Sequence, residues 1–364
     1  MSVFKDEKQK TWEYRCYYKD FTGKRKQKHV RGFKTKKEAK AAESDFLKSL
    51  DLTNGYSNIK FSNLYEDYKN DKKGKLKDST IVSNDHKIRK HILPYFKDKY
   101  IRDISVNDIR LWHNELSKNG KLSLTYLQSI HTRLSSILNY GMKYYGLPTN
   151  VASLNGNFTD SNFVKPEMDF YTYDEWKKFE LALPDDGYKV FFQFLYWTGC
   201  RRGEAQALTW RDFENGFNYV RINKTLSSKV TGQSYQITPP KTVKSNRRIS
   251  IPEVLKKALK EKYEHDQKID GFSPVCFVFG ITRPYSDETL RRRKNKACDK
   301  ANLRRIRIHD FRHSHASFLF NNGIDVTVVS KRLGHADISV TMKTYIHMLP
   351  EKEDKAIEIM NGFK

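Results

Sequence analysis

Six residues of this 364-residue chain are of the right types to break and remake a phosphodiester without metal or nucleotide. His309-Asp310-Phe311-Arg312 is followed by Leu333-Gly334-His335 and then by Tyr345, while Thr198-Gly199-Cys200-Arg201-Arg202-Gly203-Glu204 and Lys241 lie upstream. The chemistry dictates the types. A phosphate passing through a pentacoordinate state must be neutralised, and guanidinium groups donate in a planar fork and stay charged. A phenol of pKa about 10 must lose its proton as it attacks. A departing 5′-oxygen needs a proton donor. Arg201 and Arg312, His309 and His335, Lys241 and Tyr345 meet those needs as a set.

Taken singly, each has a plainer reading. Arg201-Arg202 could be a surface pair at a helix start, although Gly199 breaks the preceding aromatic helix and places Arg201 at the amino end of the next, where an anion is favoured. Glu204 is spaced to orient an arginine through a carboxylate–guanidinium pair. His309 and Arg312 fall on one side of a helix, with Phe311, His315, Phe318 and Leu319 on its buried side. His309 and His313 are four apart, but no Glu follows His309 as in the H-E-x-x-H zinc pattern, and no Cys or third His lies at ligand spacing. Neither metal nor cofactor is expected, and His313, His315 and His347 read as structural or incidental. Lys241, in Pro239-Pro240-Lys241-Thr242, stands on a turn joining two strands; Lys244, Arg247 and Arg248 share that basic turn. Tyr345 is one of 21 tyrosines and stands out only by its position relative to His335 and Arg312.

These residues must be positioned by folded elements. Tyr173–Leu183 opens with the capping box Thr172-x-x-Glu175, and further helices are expected over Gly187–Thr198 and Arg202–Thr209. Phe217–Asn223, Tyr235–Thr238 and Arg248–Ile251 read as strands, and helices resume from Glu253. This mixed α+β domain is expected over 165–364. Ahead of it, residues 57–151 read as a bundle of four or five helices. Its stripes are Phe61, Leu64, Tyr65 and Tyr68; Ile81, Ile88, Ile92 and Leu93, in a helix stopping before Pro94; Val106, Ile109 and Trp112; and Leu124 to Met142. Residues 1–50 carry 15 Lys and Arg against 7 Asp and Glu. Thr11–Tyr18 alternates as a strand, Lys24–Phe33 is a second and basic one, and Thr35 caps a helix to about Leu50. A small three-stranded sheet backed by a helix results, with one basic face suited to a DNA groove or merely solvated. Asp51–Lys60 and Asn155–Lys165 read as linkers.

Composition bounds the partner. With 68 Lys and Arg against 43 Asp and Glu, the net charge is +25, a field that draws polyanions and makes binding salt-sensitive. Hydrophobic residues make up 38%, enough for real cores and against a disordered basic tail. Cys16, Cys200, Cys276 and Cys298 lie far apart, with no zinc spacing or disulfide framework. With no secretory signal and no run of about 18 apolar residues, a soluble intracellular protein is expected.

The ordered set T-G-x-R-x-G-E (Thr198 to Glu204), Pro-Lys-Thr around Lys241, H-x-x-R (His309 to Arg312), L-G-H (Leu333 to His335) and Thr344-Tyr345 resembles the tyrosine recombinases of the phage-integrase family. The resemblance runs along essentially the whole chain. Residues 1–50 resemble the arm-type DNA-binding domain of integrases from phages and conjugative elements of Gram-positive bacteria, and 57–151 the helical core-binding domain. Asn150-Val151 stands where the family often has Asn-Pro, and Lys97 where a glycine is common. The resemblance implies cytoplasmic, site-specific integration and excision of a mobile element on double-stranded DNA. Tyr345 would form a 3′-phosphotyrosyl link; Arg201, Arg312 and His335 would stabilise the phosphorane, His309 would assist proton transfer, and Lys241 would act as general acid. It implies a homo-tetramer on core and arm attachment sites, with an excisionase and a host DNA-bending protein as possible partners. A type IB-like topoisomerase and a non-catalytic DNA-binding regulator are the rival readings.

Overall fold

The computed structural model describes residues 3–7, 9–19, 25–52, 59–118, 120, 122–161, 163, 168–228, 232–239, 246–335, 337–345 and 360–362. Contacts divide the chain into two compact units, Met1–Val164 and Lys165–Lys364. The expected class is the one adopted: mainly helical, with a three-stranded N-terminal sheet, a helical bundle and a mixed α+β region. Among the described residues no helix is long and apolar enough to cross a membrane.

In the first unit, β1 (Val3–Asp6), β2 (Thr11–Lys19) and β3 (Arg25–Phe33) form an antiparallel meander. Period-two alternation sends Tyr14 and Cys16 inward, with Tyr14 against Phe33 and against Phe46 of α1 (Lys36–Leu52). The opposite face of β2 carries Glu13, Arg15 and Tyr17. Thr35 and Glu38 exchange the capping-box bonds that start α1.

The bundle comprises α2 (Phe61–Lys72), α3 (Asp78–Lys87), α4 (Leu93–Phe96), α5 (Val106–Ser117), α6 (Leu124–Tyr145) and α7 (Val151–Asn155). Its core comes from the expected stripes, with Phe61, Leu64, Ile88, Ile92, Ile109, Trp112, Ile130 and Leu134 all buried, although Val106 and Met142, at the ends of their stripes, are exposed. One expectation fails. The helix does not stop before Pro94; a π-helical turn over Ile88–Ile92 carries it into α4, with Pro94 in the first turn. The wider turn and a first-turn position, where a backbone N–H is dispensable, accommodate the missing donor.

The second unit is built on an aromatic core. Trp176 and Phe179 of α8 (Tyr173–Ala182) and Phe191, Phe192, Phe194 and Tyr196 of α9 (Gly187–Thr198) pack with Phe311. The Thr172–Glu175 capping box forms as expected. α10 is shorter than expected, Arg202–Gln206, because Thr209 and Asp212 close a separate 3-10 turn over Trp210–Asp212. Strands β4 (Phe213–Glu214), β5 (Tyr219–Ile222) and β8 (Arg247–Ser250) form one sheet, β6 (Thr225–Ser227) and β7 (Gln236–Thr238) another. The strand before Lys241 therefore pairs back on β6, while the strand after it pairs with β5. Lys241, between β7 and β8 in the sequence, lies outside the described residues. Helices α11 (Glu253–Asp266), α12 (Asp287–Lys300), α13 (Asp310–Asn321), α14 (Val326–Leu333) and α15 (Ile338–Tyr345) complete the unit.

Candidate active site

The site is assembled from helix ends. α9 ends at Gly199, whose φ of +65° is the left-handed conformation that glycine adopts at least cost. A side chain there would also collide with His315 and Leu333. The chain then reverses so that Arg201 is the N-cap of α10. Its guanidinium donates to Glu204 Oε1 at 2.9 Å and its backbone N–H donates to Oε2 at 2.9 Å. The same carboxylate takes Arg247 Nη2 at 2.8 Å and Nη1 at 3.3 Å, a two-pronged pair in which both side chains are buried. Burial pushes the Glu204 carboxyl up, but Arg247 and then Arg201 outweigh it and hold the group down at about 2.

Arg312 projects from α13 and is 2% exposed. Its donors go to Gly199 O at 2.8 Å, Leu333 O at 2.8 Å and His335 Nε2 at 2.8 Å. Two carbonyls and an imidazole give its charge no carboxylate in direct contact, and Glu204 acts on it only through space. Burial, reinforced by the Arg201 and Arg247 charges, lowers its pKa to about 9. α14 ends at Gly334 with a φ of +71°, which turns His335 back toward Arg312. Arg312 can only donate, so His335 Nε2 accepts and Nδ1–H donates to Thr341 Oγ1 at 2.6 Å. Burial first, then Arg312 and Arg201, lowers His335 to about 4, leaving it neutral at pH 7.

Tyr345 ends α15 and is 1% exposed, packed with Phe320, Val329 and Leu333. Its hydroxyl lies 2.7 Å from Nδ1 of His313. Burial pushes the phenol up to about 12, against the pull of Arg312 and Arg201. His309 sits at the start of α13, its ring 5.1 Å from that of His313 and perpendicular to it. Burial, then Arg312 and Arg201, lowers its pKa. It opens onto a cleft of about 750 Å³ together with Arg201, Arg202, Arg291 and Arg307.

Arg201, His309, Arg312, His335 and Tyr345 are thus drawn into one charge-coupled cluster, with Glu204 beneath it. Two members escaped the sequence reading. Arg247 was merged with the basic turn, yet it alternates with Ile249 and Ile251, the period-two signal of an inward-facing strand position. His313 was set aside as incidental, and it makes the hydrogen bond to the Tyr345 hydroxyl. The buried side of α13 is also different, with Phe320 buried and Phe318 and Leu319 only half-buried. Among the described residues no group of three His, Cys, Asp or Glu could hold a metal ion.

The chain matches the phage integrase family over residues 181–352, an arm DNA-binding domain over 2–50, and the N-terminal SAM-like domain of phage integrases over 60–117. It is 31% identical over 274 residues to the ICEBs1 integrase of Bacillus subtilis, covering 73% of each chain. Its fold is similar to that of the integrase of transposon Tn1549 solved with circular intermediate DNA (TM-score 0.66, 19% identity, 84% of this chain and 100% of that one). It is also similar to lambda integrase solved as a tetramer on a Holliday junction (TM-score 0.59, 17% identity, 93% and 96%). A chain matched in all three segments, with a 31% identical integrase relative, belongs to the phage integrase family: it is a tyrosine-type site-specific recombinase of the kind found in phages and conjugative elements.

Proposed function

We propose that the protein integrates and excises a mobile element by cutting double-stranded DNA through a 3′-phosphotyrosyl intermediate on Tyr345. The observation that carries this reading is Arg312: a buried guanidinium with only neutral hydrogen-bond partners, beside Arg201 and Arg247, which share the carboxylate of Glu204. Such a site is electrostatically incomplete without an anion, and a phosphodiester fits it. Arg201, Arg312 and His335 stabilise the pentacoordinate phosphate. For this, His335 gives up its bond from Arg312 and shifts its proton to Nε2, with Thr341 Oγ1 then donating to Nδ1, so that Nε2–H donates to a phosphate oxygen. His309, on the cleft, assists proton transfer, and Lys241 protonates the leaving 5′-oxygen. The phosphotyrosyl ester keeps the bond energy, so the 5′-hydroxyl of another strand reverses the step without ATP.

The division of labour is threefold, with residues 1–50 on arm sites, 57–151 on the core site and 165–364 cutting. A homo-tetramer on paired attachment sites follows from the need to exchange four strands, with an excisionase and a host DNA-bending protein setting direction. On a nicked suicide substrate, wild type accumulates a covalent protein–DNA adduct, and Tyr345→Phe binds the same DNA but forms none. Adducts persisting in Tyr345→Phe would overturn the reading.

A further inference from the structure

The geometry points to His313 as the base that takes the proton from the nucleophile, a role resting on the reading of Tyr345 above. A phenol pushed up to about 12 is scarcely ionised at pH 7, so attack needs a proton acceptor already in contact. Among the described residues, the group in hydrogen-bond contact with the Tyr345 hydroxyl is His313 Nδ1, at 2.7 Å. The two rings pack with centroids 5.6 Å apart, and Phe320 braces the phenol from another side at 5.6 Å. Tyr345 is further held by its place at the end of α15, one turn beyond the buried Thr341 that engages His335.

His313 is suited to the work. It is half-buried on α13, facing Tyr345 of α15, with His309, Asp310 and Arg312 on its own helix and Arg307 just before it. Burial first, then the neighbouring His309, lowers its pKa to about 4, so at pH 7 Nδ1 is free to accept, and as a weak base it takes the proton only as the Tyr345–phosphorus bond forms. His309 makes an edge-on ring contact with His313 rather than with the phenol, and faces the cleft instead.

The step balances. As the Tyr345 oxygen forms its bond to phosphorus, its O–H bond breaks and the proton passes to His313 Nδ1. The bond from phosphorus to the 5′-oxygen breaks, and that oxygen takes a proton from Lys241. In rejoining, a 5′-hydroxyl attacks and gives its proton back to the deprotonated Lys241, the phosphorus–Tyr345 bond breaks, and His313 returns its proton to the phenolate. Base and acid therefore sit on different elements, α13 and the connection after β7.

His313→Asn keeps an acceptor near Nδ1 but cannot hold a proton. Full-length protein with this change should bind a nicked core-site DNA as wild type does and cleave it about 100-fold more slowly at pH 7, within the usual range for losing a general base. Its rate should climb about tenfold per pH unit from 7 to 9, as hydroxide replaces the base. A substrate with a 5′-bridging sulfur, which leaves without a proton, should rescue Lys241→Ala and leave His313→Asn slow. Wild-type cleavage rates in His313→Asn, or rescue by sulfur, would overturn the assignment. Should His313→Asn fail to bind DNA, wild type on the sulfur substrate decides: a plateau from pH 6 to 9 supports a base, and a tenfold rise per unit throughout overturns it. Wild-type cleavage in His313→Asn with Tyr345→Phe inert sinks this inference alone, whereas adducts in Tyr345→Phe sink the reading beneath it.

Discussion

Two glutamates in this chain are each ringed by cations, and they do different things. Glu13, on the N-terminal sheet, accepts from Arg15 at 2.7 Å, lies 2.9 Å from His29 Nε2, and pairs with Arg31 at 3.1 Å. The arginine side chains around it are 46% and 58% exposed. Glu204 holds Arg247 at 2.8 Å with both side chains 6% exposed, and Arg201 on its rim. In the first cluster the Glu13 side chain is itself only 7% exposed, but its arginine partners reach out into water and salt, which screen them and leave them loosely held. In the second, removing one partner strands a charge in low dielectric. The first cluster presents its cations to solvent, whereas the second holds two arginines still beside a third, the buried Arg312.

Breaking the buried cluster at its chemical end should have the largest effect. Arg312→Ala removes a donor aimed at the phosphate and should slow covalent adduct formation about 10³-fold, with DNA binding much less affected. An adduct rate within tenfold of wild type would remove Arg312 from the clamp. Glu204→Gln comes next, since it leaves Arg247 buried without its counter-charge. Unfolding in urea should show a loss of about 3 kcal/mol, and a loss below about 1 would mean the pair is no better than a surface one.

The sign of the pH effect follows from the depressed carboxyl. Folded Glu204 titrates near 2, below its unfolded value, so its contribution is complete above about pH 4.5 and fades as pH falls toward 2. The gap between wild type and Glu204→Gln should be flat from pH 8 to 5 and should narrow only below about 4.5. The smallest effect belongs to Glu13→Gln. Any loss of stability should be smaller than that of Glu204→Gln and should shrink in high salt. A loss equal to that of Glu204→Gln would erase the contrast between the clusters.

Much of this was legible in the sequence, for local reasons. Gly199 and Gly334 are helix-ending residues whose left-handed backbone aims Arg201 and His335, and such turn chemistry is written in one or two positions. The Thr172–Glu175 and Thr35–Glu38 boxes are equally local. What stayed hidden depends on contacts remote along the chain. Nothing near His313 announces that α15 will bring a hydroxyl to its Nδ1. Arg247 carried a period-two signal, but a cation on an inward strand position makes sense only once Glu204, 43 residues earlier, is seen beneath it. The π turn at Ile88–Ile92 was masked by the ordinary rule that a helix ends before proline. The pairing of β7 with β6 rather than β8 is likewise a choice between partners of similar local character.

The central claim is that Tyr345 carries the DNA. The most direct test is to trap the covalent complex of wild-type protein on a nicked suicide substrate, digest protein and DNA, and locate the nucleotide by mass spectrometry. A 3′-linked nucleotide on the peptide containing Thr344-Tyr345 is the predicted result; a nucleotide on any other residue would contradict it.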